Sequence, residues 1–341
     1  MTLGMTGKER VLAALSGAPT DHLPLMPITM MFAGDTAGIR YRDYVTDHRR
    51  LVEAQLRTAE EYGFDYVSAI SDPAREATDL GAVVKFFDDQ PPAIVESEAL
   101  LADKGRLRTL RLPDLSAPGR MRDRVEGIAL LAERAAEDKI VEGWVEGPCA
   151  MAADLRGLNT LMLDFYDDPT FVAELFACVV TMETEFARAQ VAAGASLIGI
   201  GDAAASLIGP RFYEQFVFEQ ERKLVGAIRG MGCLVRLHIC SNTRRILRGM
   251  GQTGADIVDL DFLTPLDEAR AAMGPQQMLL GNIDPVRVLR DGSPESIEAA
   301  LAECHRQAGA RYIVGAGCEI PRGTPHENVL AMTRYAQTHH A

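Results

Sequence analysis

The sequence predicts a single (β/α)8 (TIM) barrel, and three observations carry this prediction. Short apolar runs rich in β-branched residues recur eight times along the 341 residues. Longer amphipathic segments separate most of these runs, and such alternation is typical of a barrel of parallel strands. No linker rich in proline, glycine and serine interrupts the pattern, so we expect one domain over residues 1–341.

The predicted strands and helices follow one another along the whole chain. The strands are expected over residues 22–28, 65–70, 140–146, 196–202, 234–240, 256–262, 278–284 and 312–318. The main helices are expected over residues 49–61, 168–193, 210–231, 265–273, 294–308 and 325–338. Residues 71–124 exceed what one barrel helix requires, so we expect an irregular excursion after the second strand, with short strands near 83–87 and 93–95.

Two capping boxes are predicted near the ends of the chain. Thr6 and Glu9 have the Thr-x-x-Glu spacing that opens a helix, here expected over residues 9–16. Thr324 and Glu327 repeat the spacing and predict the same device at the start of the last helix.

Composition excludes several classes of protein. With 47% hydrophobic and 24% charged residues the chain can bury a large core, so it is not predicted to be disordered. A net charge of −13 without a basic run argues against nucleic acid or an anionic membrane as the main partner. Neither a membrane-spanning stretch nor a signal-peptide core is visible, so we expect a cytoplasmic protein whose six cysteines are free thiols.

A zinc site is predicted at the carboxyl ends of the strands, where barrels of this kind hold their catalytic groups. His238 and Cys240 lie two positions apart on one predicted strand, so their side chains share a face. Such a pair alone is more often packing, but Cys318 ends the eighth strand at the same rim. One imidazole and two thiolates suit Zn(II) and leave a fourth position for substrate. The other four cysteines are expected to pack as small apolar side chains.

Other polar residues at the rim are less specific. Asp72 and Asp202 end two strands and are candidates for orienting substrate or moving a proton, although aspartate there also caps helices. Asp259 and Asp261 share a face of the neighbouring strand, and either is a candidate fourth zinc ligand in the absence of substrate. Asn282 is a candidate for binding substrate, or turns the chain into the next helix.

Motifs along almost the whole chain resemble the uroporphyrinogen decarboxylase superfamily, and within it the cobalamin-dependent methyltransferase branch. The similar stretches are KERVLAAL at 8–15, DHLP at 21–24, YGFD at 62–65, EGP at 146–148, IGPRFY at 208–213, HICSNT at 238–243, GNIDP at 281–285 and GCEIPRGTPHEN at 317–328. The resemblance implies a (β/α)8 barrel and a zinc ion bound through His-x-Cys…Cys, which matches His238, Cys240 and Cys318.

The segment after the first strand distinguishes the two branches of this superfamily. The decarboxylases carry arginines there for a substrate with many carboxylates, whereas this chain has the apolar Met30, Met31 and Phe32. We expect these three side chains to contact the corrin face. Asp72 matches the position of an aspartate of the decarboxylases and does not separate the branches.

The resemblance implies transfer of a methyl group from a methylated corrinoid, either free methylcobalamin or a corrinoid protein. The acceptor would be activated by zinc and would be a thiol such as coenzyme M or a pterin such as tetrahydrofolate. Two alternatives remain at this point. One is a tetrapyrrole decarboxylase without zinc, in which Asp72 stabilises a protonated pyrrole, and the other is an accessory protein that binds corrinoid or zinc without turnover.

Overall fold

Nine strands are present between residues 4 and 340, the range that the computed structural model describes. They are β1 (Tyr66–Ser68), β2 (Val84–Lys85), β3 (Ala93–Ile94), β4 (Ile140–Glu146), β5 (Leu197–Gly201), β6 (Leu234–Ile239), β7 (Ile257–Leu260), β8 (Met278–Ile283) and β9 (Tyr312–Ala316). The strands β1 and β4 to β9 form one parallel sheet in which they lie side by side in chain order. The predicted fold class is confirmed.

The segment predicted as the first strand, residues 22–28, lies where that strand was expected, but the prediction of a regular strand is wrong. Its part of the sheet is a single parallel bridge between Leu25 and Val314. The amide of Val314 donates to the Pro24 carbonyl at 2.8 Å, and the amide of Asp65 donates to the Leu25 carbonyl at 3.1 Å. The segment therefore lies between β9 and β1 and closes the barrel. It forms no longer ladder because Pro24 and a second proline three residues later lack an amide hydrogen.

Helices surround the barrel. They are α1 (Gly7–Ser16), α2 (Met31–Ala37), α3 (Tyr41–Thr46), α4 (His48–Tyr62), α5 (Arg75–Asp79), α6 (Arg120–Ala135), α7 (Pro148–Arg156), α8 (Leu158–Asp167), α9 (Pro169–Ala192), α10 (Gly209–Phe212), α11 (Phe218–Arg229), α12 (Leu247–Gln252), α13 (Leu266–Met273), α14 (Pro294–Ala308) and α15 (His326–Thr338). The single helix predicted over 210–231 is instead α10 and α11 joined by a π-helical turn, Tyr213–Val217. None of the helices in the described part of the chain is long and apolar enough to cross a membrane.

One predicted capping box forms and the other does not. In α1 the Thr6 side chain accepts from the Glu9 amide, and the Glu9 carboxylate accepts from the Thr6 amide at 2.8 Å. Before α15 the Thr324 hydroxyl instead donates to the Pro321 carbonyl at 2.8 Å, and Pro325 is the cap residue. The hydroxyl is used by the preceding turn, which the sequence spacing does not reveal.

The two short strands predicted in the excursion after β1 are present and form a hairpin. Strands β2 and β3 pair antiparallel, with Val84 opposite Ile94. Ala93 and Ile94 line a cavity at the carboxyl rim of the barrel, so the hairpin helps to enclose the site.

Candidate metal centre and its two flanking cavities

His238, Cys240 and Cys318 line one cavity of about 140 Å³ at the carboxyl rim, which we call the rim cavity. His238 lies on β6, Cys240 directly follows that strand, and Cys318 follows β9. Apolar walls come from Ile28, Ile70 and Trp144, which pack together. The three side chains predicted to bind zinc thus line one cavity.

A carboxylate of the neighbouring strand lies next to the Nδ1 atom of His238. Asp259 is the register partner of His238 on β7, and its Oδ2 lies 3.1 Å from His238 Nδ1, without the alignment of a hydrogen bond. Arg236 donates to the same Oδ2 from Nη2 at 2.6 Å and from Nε at 3.0 Å. Burial opposes the charge of Asp259, but Arg236 and His238 lower its pKa below the usual value. The imidazole is thereby backed by a fixed carboxylate.

The donor set fits a zinc ion in its chemistry. His238 Nε2 is buried without a hydrogen-bond partner, and two thiols line the same cavity. Imidazole and thiolate are the ligands that zinc prefers, and a carboxylate behind the imidazole is a common support of such ligands. Across residues 4–340, however, no three His, Cys, Asp or Glu side chains are already close enough together to hold a metal ion.

The two predicted fourth ligands have other partners. Asp259 lies behind His238, as described, and does not line the rim cavity. Asp261 accepts from the amides of Ser241 at 2.8 Å and Leu263 at 2.9 Å, so it holds the loops that follow β6 and β7. Both carboxylates therefore have protein partners and lie outside the rim cavity.

Asp72 lines the rim cavity as an ion-paired carboxylate. Arg120 donates to both of its oxygens, to Oδ1 at 2.8 Å and to Oδ2 at 2.5 Å, and the Ser71 hydroxyl donates to Oδ2 at 2.8 Å. Burial alone would raise the pKa of Asp72, yet Arg120 holds it below the usual value. Asp72 is therefore an anion at neutral pH and can orient a ligand, but it has no proton to donate.

Asp202 caps a helix. Its carboxylate accepts from the amides of Ala150 at 2.6 Å and Cys149 at 3.3 Å, in the first turn of α7. Burial raises the pKa of Asp202 to about 6. It lines neither the rim cavity nor the two cavities beside it, and the helix that it caps follows β4 rather than its own strand.

The predicted corrin-contacting segment is divided between site and core. Met30 lines the rim cavity, and Met31 lines a cavity next to it. Phe32 is buried in the core, with its ring 5.5 Å from that of Tyr62. The two methionines remain candidates for contact with the methylated corrinoid, whereas Phe32 packs in the core.

Asn282 is a loop anchor. Its side-chain amide donates to the carbonyls of Asp261 at 2.9 Å and Thr264 at 2.6 Å. These bonds fix the loop after β7, and Asn282 lines none of the three cavities at the site.

Sequence reasoning missed a buried group of charges beside the rim cavity. Arg75 Nη2 donates to Glu76 and to Glu146, each at 3.0 Å, and its Nη1 donates to the Asp72 carbonyl. Burial, and next the charge of Glu76, raise the pKa of Asp154 to about 8. Glu146 ends β4 in a motif that the sequence does show, but Arg75 and Glu76 lie in the irregular excursion, where no pattern indicates their partners.

Two further cavities flank the rim cavity, and each reaches one of the two thiols. The Cys240-side cavity has a volume of about 490 Å³ and shares Pro73, Glu146, Ala203 and Cys240 with the rim cavity. The Cys318-side cavity has a volume of about 630 Å³ and shares Cys318 with it. A ligand at the three predicted zinc donors can therefore extend to either side.

The chain belongs to the uroporphyrinogen decarboxylase (URO-D) family, whose model matches residues 6–339. It is 28% identical over 341 residues to the methylcobamide:CoM methyltransferase MtbA of Methanosarcina mazei, with 98% of each chain covered. It is also 28% identical over 259 residues to the uroporphyrinogen decarboxylase of Streptomyces coelicolor, with 74% of this chain and 70% of that protein covered. A solved methyltransferase from Methanosarcina mazei has the same fold, with a TM-score of 0.89, 24% identity and coverage of 98% and 99%. The family expected from the motifs is confirmed, as is the expectation that the chain is an enzyme.

Proposed function

We propose that this enzyme is a zinc-dependent methyltransferase that moves a methyl group from a methylated corrinoid to a thiol. The observation that carries the proposal is the rim cavity, which is lined by His238, Cys240 and Cys318 and beside which His238 Nε2 is buried without a hydrogen-bond partner. Relatives matching over nearly the whole chain are named methylcobamide:CoM methyltransferase and methylated-thiol:coenzyme M methyltransferase. These names support a thiol acceptor over a folate-type acceptor.

The three donors would hold the zinc ion and leave one position open to the acceptor. A bound zinc ion lowers the pKa of a coordinated thiol and so supplies a thiolate nucleophile at neutral pH. The residues of the chain itself do the positioning. Asp259, fixed by Arg236, backs the imidazole of His238, and the apolar side chains of Ile28, Ile70 and Trp144 keep water from the donors.

The corrinoid is proposed to approach from the Cys318 side. Phe262, Leu263 and Val286 line that cavity and are all about two-fifths exposed, and Met31 lies among them. Such an apolar mouth suits the face of a large ring, carried either by free methylcobalamin or by a corrinoid protein.

A tetrapyrrole decarboxylase fits the site less well. Asp72 would have to face a substrate with many carboxylates, and such a substrate needs several cations near the reacting ring. In the rim cavity the only arginine among the described residues is Arg75, which is already paired with Glu76 and Glu146.

The proposal is tested by removing each thiol. We expect Cys240→Ala and Cys318→Ala to lose bound zinc and to slow thiol-dependent demethylation of methylcobalamin by about 100-fold or more. Cys178→Ala, on α9 and away from the rim, is the matched control and keeps both properties. Metal analysis and the absorbance of methylcobalamin measure the two effects.

Either of two results would refute the proposal. One is a Cys240→Ala or Cys318→Ala variant that transfers methyl groups at the full rate without zinc. The other is a zinc-loaded wild-type protein that binds methylcobalamin but does not demethylate it, whichever thiol is added. That result would instead indicate an accessory protein.

A further inference from the structure

The Cys240-side cavity is placed and sized to receive the part of the acceptor that lies beyond its sulfur. It opens from the rim cavity past Cys240, and its volume of about 490 Å³ is more than three times that of the rim cavity itself. Its walls are apolar, with contributions from Ile94, Ala153, Leu158 and Leu207. A thiol bound at the predicted zinc donors can therefore extend its tail into this space.

The charged residues of this cavity are all acidic. Glu96, Glu146 and Asp154 line it, and no Lys, Arg or His does so among residues 4–340. Asp154 Oδ2 is buried and has no hydrogen-bond partner in the described structure. An anion in this space would meet carboxyl groups and apolar surface but no counter-charge.

Two helix N-termini beside the cavity, those of α7 and α8, are occupied by carboxylates of the protein. The start of α7 is capped by Asp202, which accepts from the Ala150 amide. The start of α8 is capped by Glu96, which accepts from the Asn159 amide at 3.1 Å. Free helix N-termini are common anion sites, and here both are filled before any ligand binds.

The arginine that pairs with Glu146 of this cavity is also committed to the protein. Arg75 has a side chain only 1% exposed, and its guanidinium bonds to Glu76, Glu146 and the carbonyl of Asp72. Turning it toward a ligand would leave two buried carboxylates without their counter-charge.

We propose that the Cys240-side cavity binds the tail of the methyl acceptor and that this tail is uncharged and mainly apolar. Thiols that carry a sulfonate or carboxylate, such as coenzyme M, are poor acceptors for this enzyme. The physical reason is that an unpaired anion loses its hydration on entering the cavity and finds no cation to replace it. This inference rests on the proposed thiol methyltransferase function.

The Cys318-side cavity offers the rival site for an anionic acceptor. Arg287 lines it and forms no salt bridge with another described residue, whereas Arg290 and Arg322 pair with acidic neighbours. If the acceptor bound on that side, Arg287 would be available for a sulfonate.

The experiment compares three small primary thiols with the zinc-loaded enzyme and methylcobalamin. They are 1-propanethiol, 2-mercaptoethanol and coenzyme M, which is 2-mercaptoethanesulfonate. We expect kcat/KM for each uncharged thiol to exceed that for coenzyme M by about tenfold or more. Calorimetric titration with the methyl thioethers of the same thiols gives a second readout that requires no turnover, and the order of affinity should be the same.

A matched pair of variants tests where the tail lies. Leu207 is 59% exposed and lines the Cys240-side cavity, so an arginine there can add a cation without disturbing the core. The ratio of kcat/KM for coenzyme M to that for 1-propanethiol should rise about fivefold or more in Leu207→Arg relative to the uncharged Leu207→Gln.

The outcomes separate this inference from the proposed function. A wild-type enzyme that prefers coenzyme M overturns the inference but supports methyl transfer to thiols. If Arg287→Ala then abolishes that preference, the acceptor belongs on the Cys318 side. If no thiol is methylated, the proposed function fails. Independently of turnover, the inference is overturned if the anionic thioether binds more tightly than the uncharged thioethers.

Discussion

The two cavities that flank the predicted zinc donors differ in charge. On the Cys240 side the charged lining residues are Glu96, Glu146 and Asp154. On the Cys318 side three arginines face the cavity together with two acidic residues; these are Arg287, Arg290, Arg322, Asp284 and Glu319. The excursion after β1, the end of β4 and the helix α7 therefore supply the acidic residues of one side, and the segments that follow β8 and β9 build a side rich in arginine.

This difference suits a reaction with two reactants. In a displacement at a methyl carbon, the nucleophile and the leaving group lie on opposite faces of that carbon. Cys240 and Cys318 open to separate cavities, so an acceptor and a corrinoid can approach the rim cavity without competing for one space. Under the proposed function, the different charges of the two sides would decide which reactant enters which cavity.

The largest expected effect concerns the buried arginine that neutralises the acidic side. Replacing Arg75 by methionine leaves Glu76 and Glu146 buried without a counter-charge, so we expect Arg75→Met to lower the free energy of unfolding by about 3–5 kcal/mol. Arg287→Met is the counterpart on the Cys318 side, where the side chain is exposed, and should change stability by less than about 0.5 kcal/mol. Urea unfolding measures both.

Equal stability of Arg75→Met and the wild-type protein would contradict this view of the acidic side. It would mean that Glu76 and Glu146 bind protons when the arginine is absent, so that the cavity needs no internal cation. The contrast between the two sides would then concern only the lining charges.

The sequence allowed the fold to be predicted, and with it that the three candidate zinc donors lie at one rim, because strand spacing and strand ends are visible in it. Alternating apolar runs marked seven strands of the sheet, and His238 and Cys240 lie two positions apart where β6 ends. Cys318 could be added because the carboxyl ends of parallel strands meet at one rim. Even the closing segment near Leu25 was placed correctly, although its prolines prevent a regular strand.

The acidic side could not be predicted, because its contacts join distant parts of the chain. Arg75 and Glu146 are 71 positions apart, and Asp202 caps a helix that begins more than 50 residues before it. A strand-end aspartate is normally taken to cap the helix that follows it. Only the tertiary structure shows which helix start, or which arginine, such a carboxylate reaches.

A pH series tests the acidic side more finely. Burial, and next the charge of Glu76, raise the pKa of Asp154 to about 8 from a usual value of 3.8. Between these two pH values the folded protein therefore keeps a proton on Asp154 that the unfolded chain has lost. The free energy of unfolding falls as pH rises through this window. The contribution of Asp154 is at most about 1.4 kcal/mol per pH unit.

The comparison of two variants isolates this contribution. Asp154→Asn should gain stability relative to the wild-type protein as pH rises from 5 to 8, as measured by thermal unfolding at fixed ionic strength. Glu303→Gln on the surface helix α14 is the control, since Arg306 lowers the pKa of Glu303 to about 2 and its effect is constant in this range. A stability difference for Asp154→Asn that does not change with pH would show that Asp154 is ionised in the cavity.

The smallest expected effect compares the aspartates that cap a helix on each side. Asp202 is buried and accepts from the amides of Ala150 and Cys149 at the start of α7. Asp284 is half-exposed and accepts from the amides of Val286 and Arg287, each at 2.9 Å. We expect Asp202→Ala to cost about 1–3 kcal/mol, because the amides that it leaves are buried, and Asp284→Ala to cost about 0.5–1 kcal/mol, because water replaces the carboxylate. Urea unfolding gives both values. Demethylation kinetics then decide the role of Asp202. A loss of kcat in properly folded Asp202→Ala would restore Asp202 as a catalytic candidate, whereas an unchanged kcat confirms that it only caps the helix.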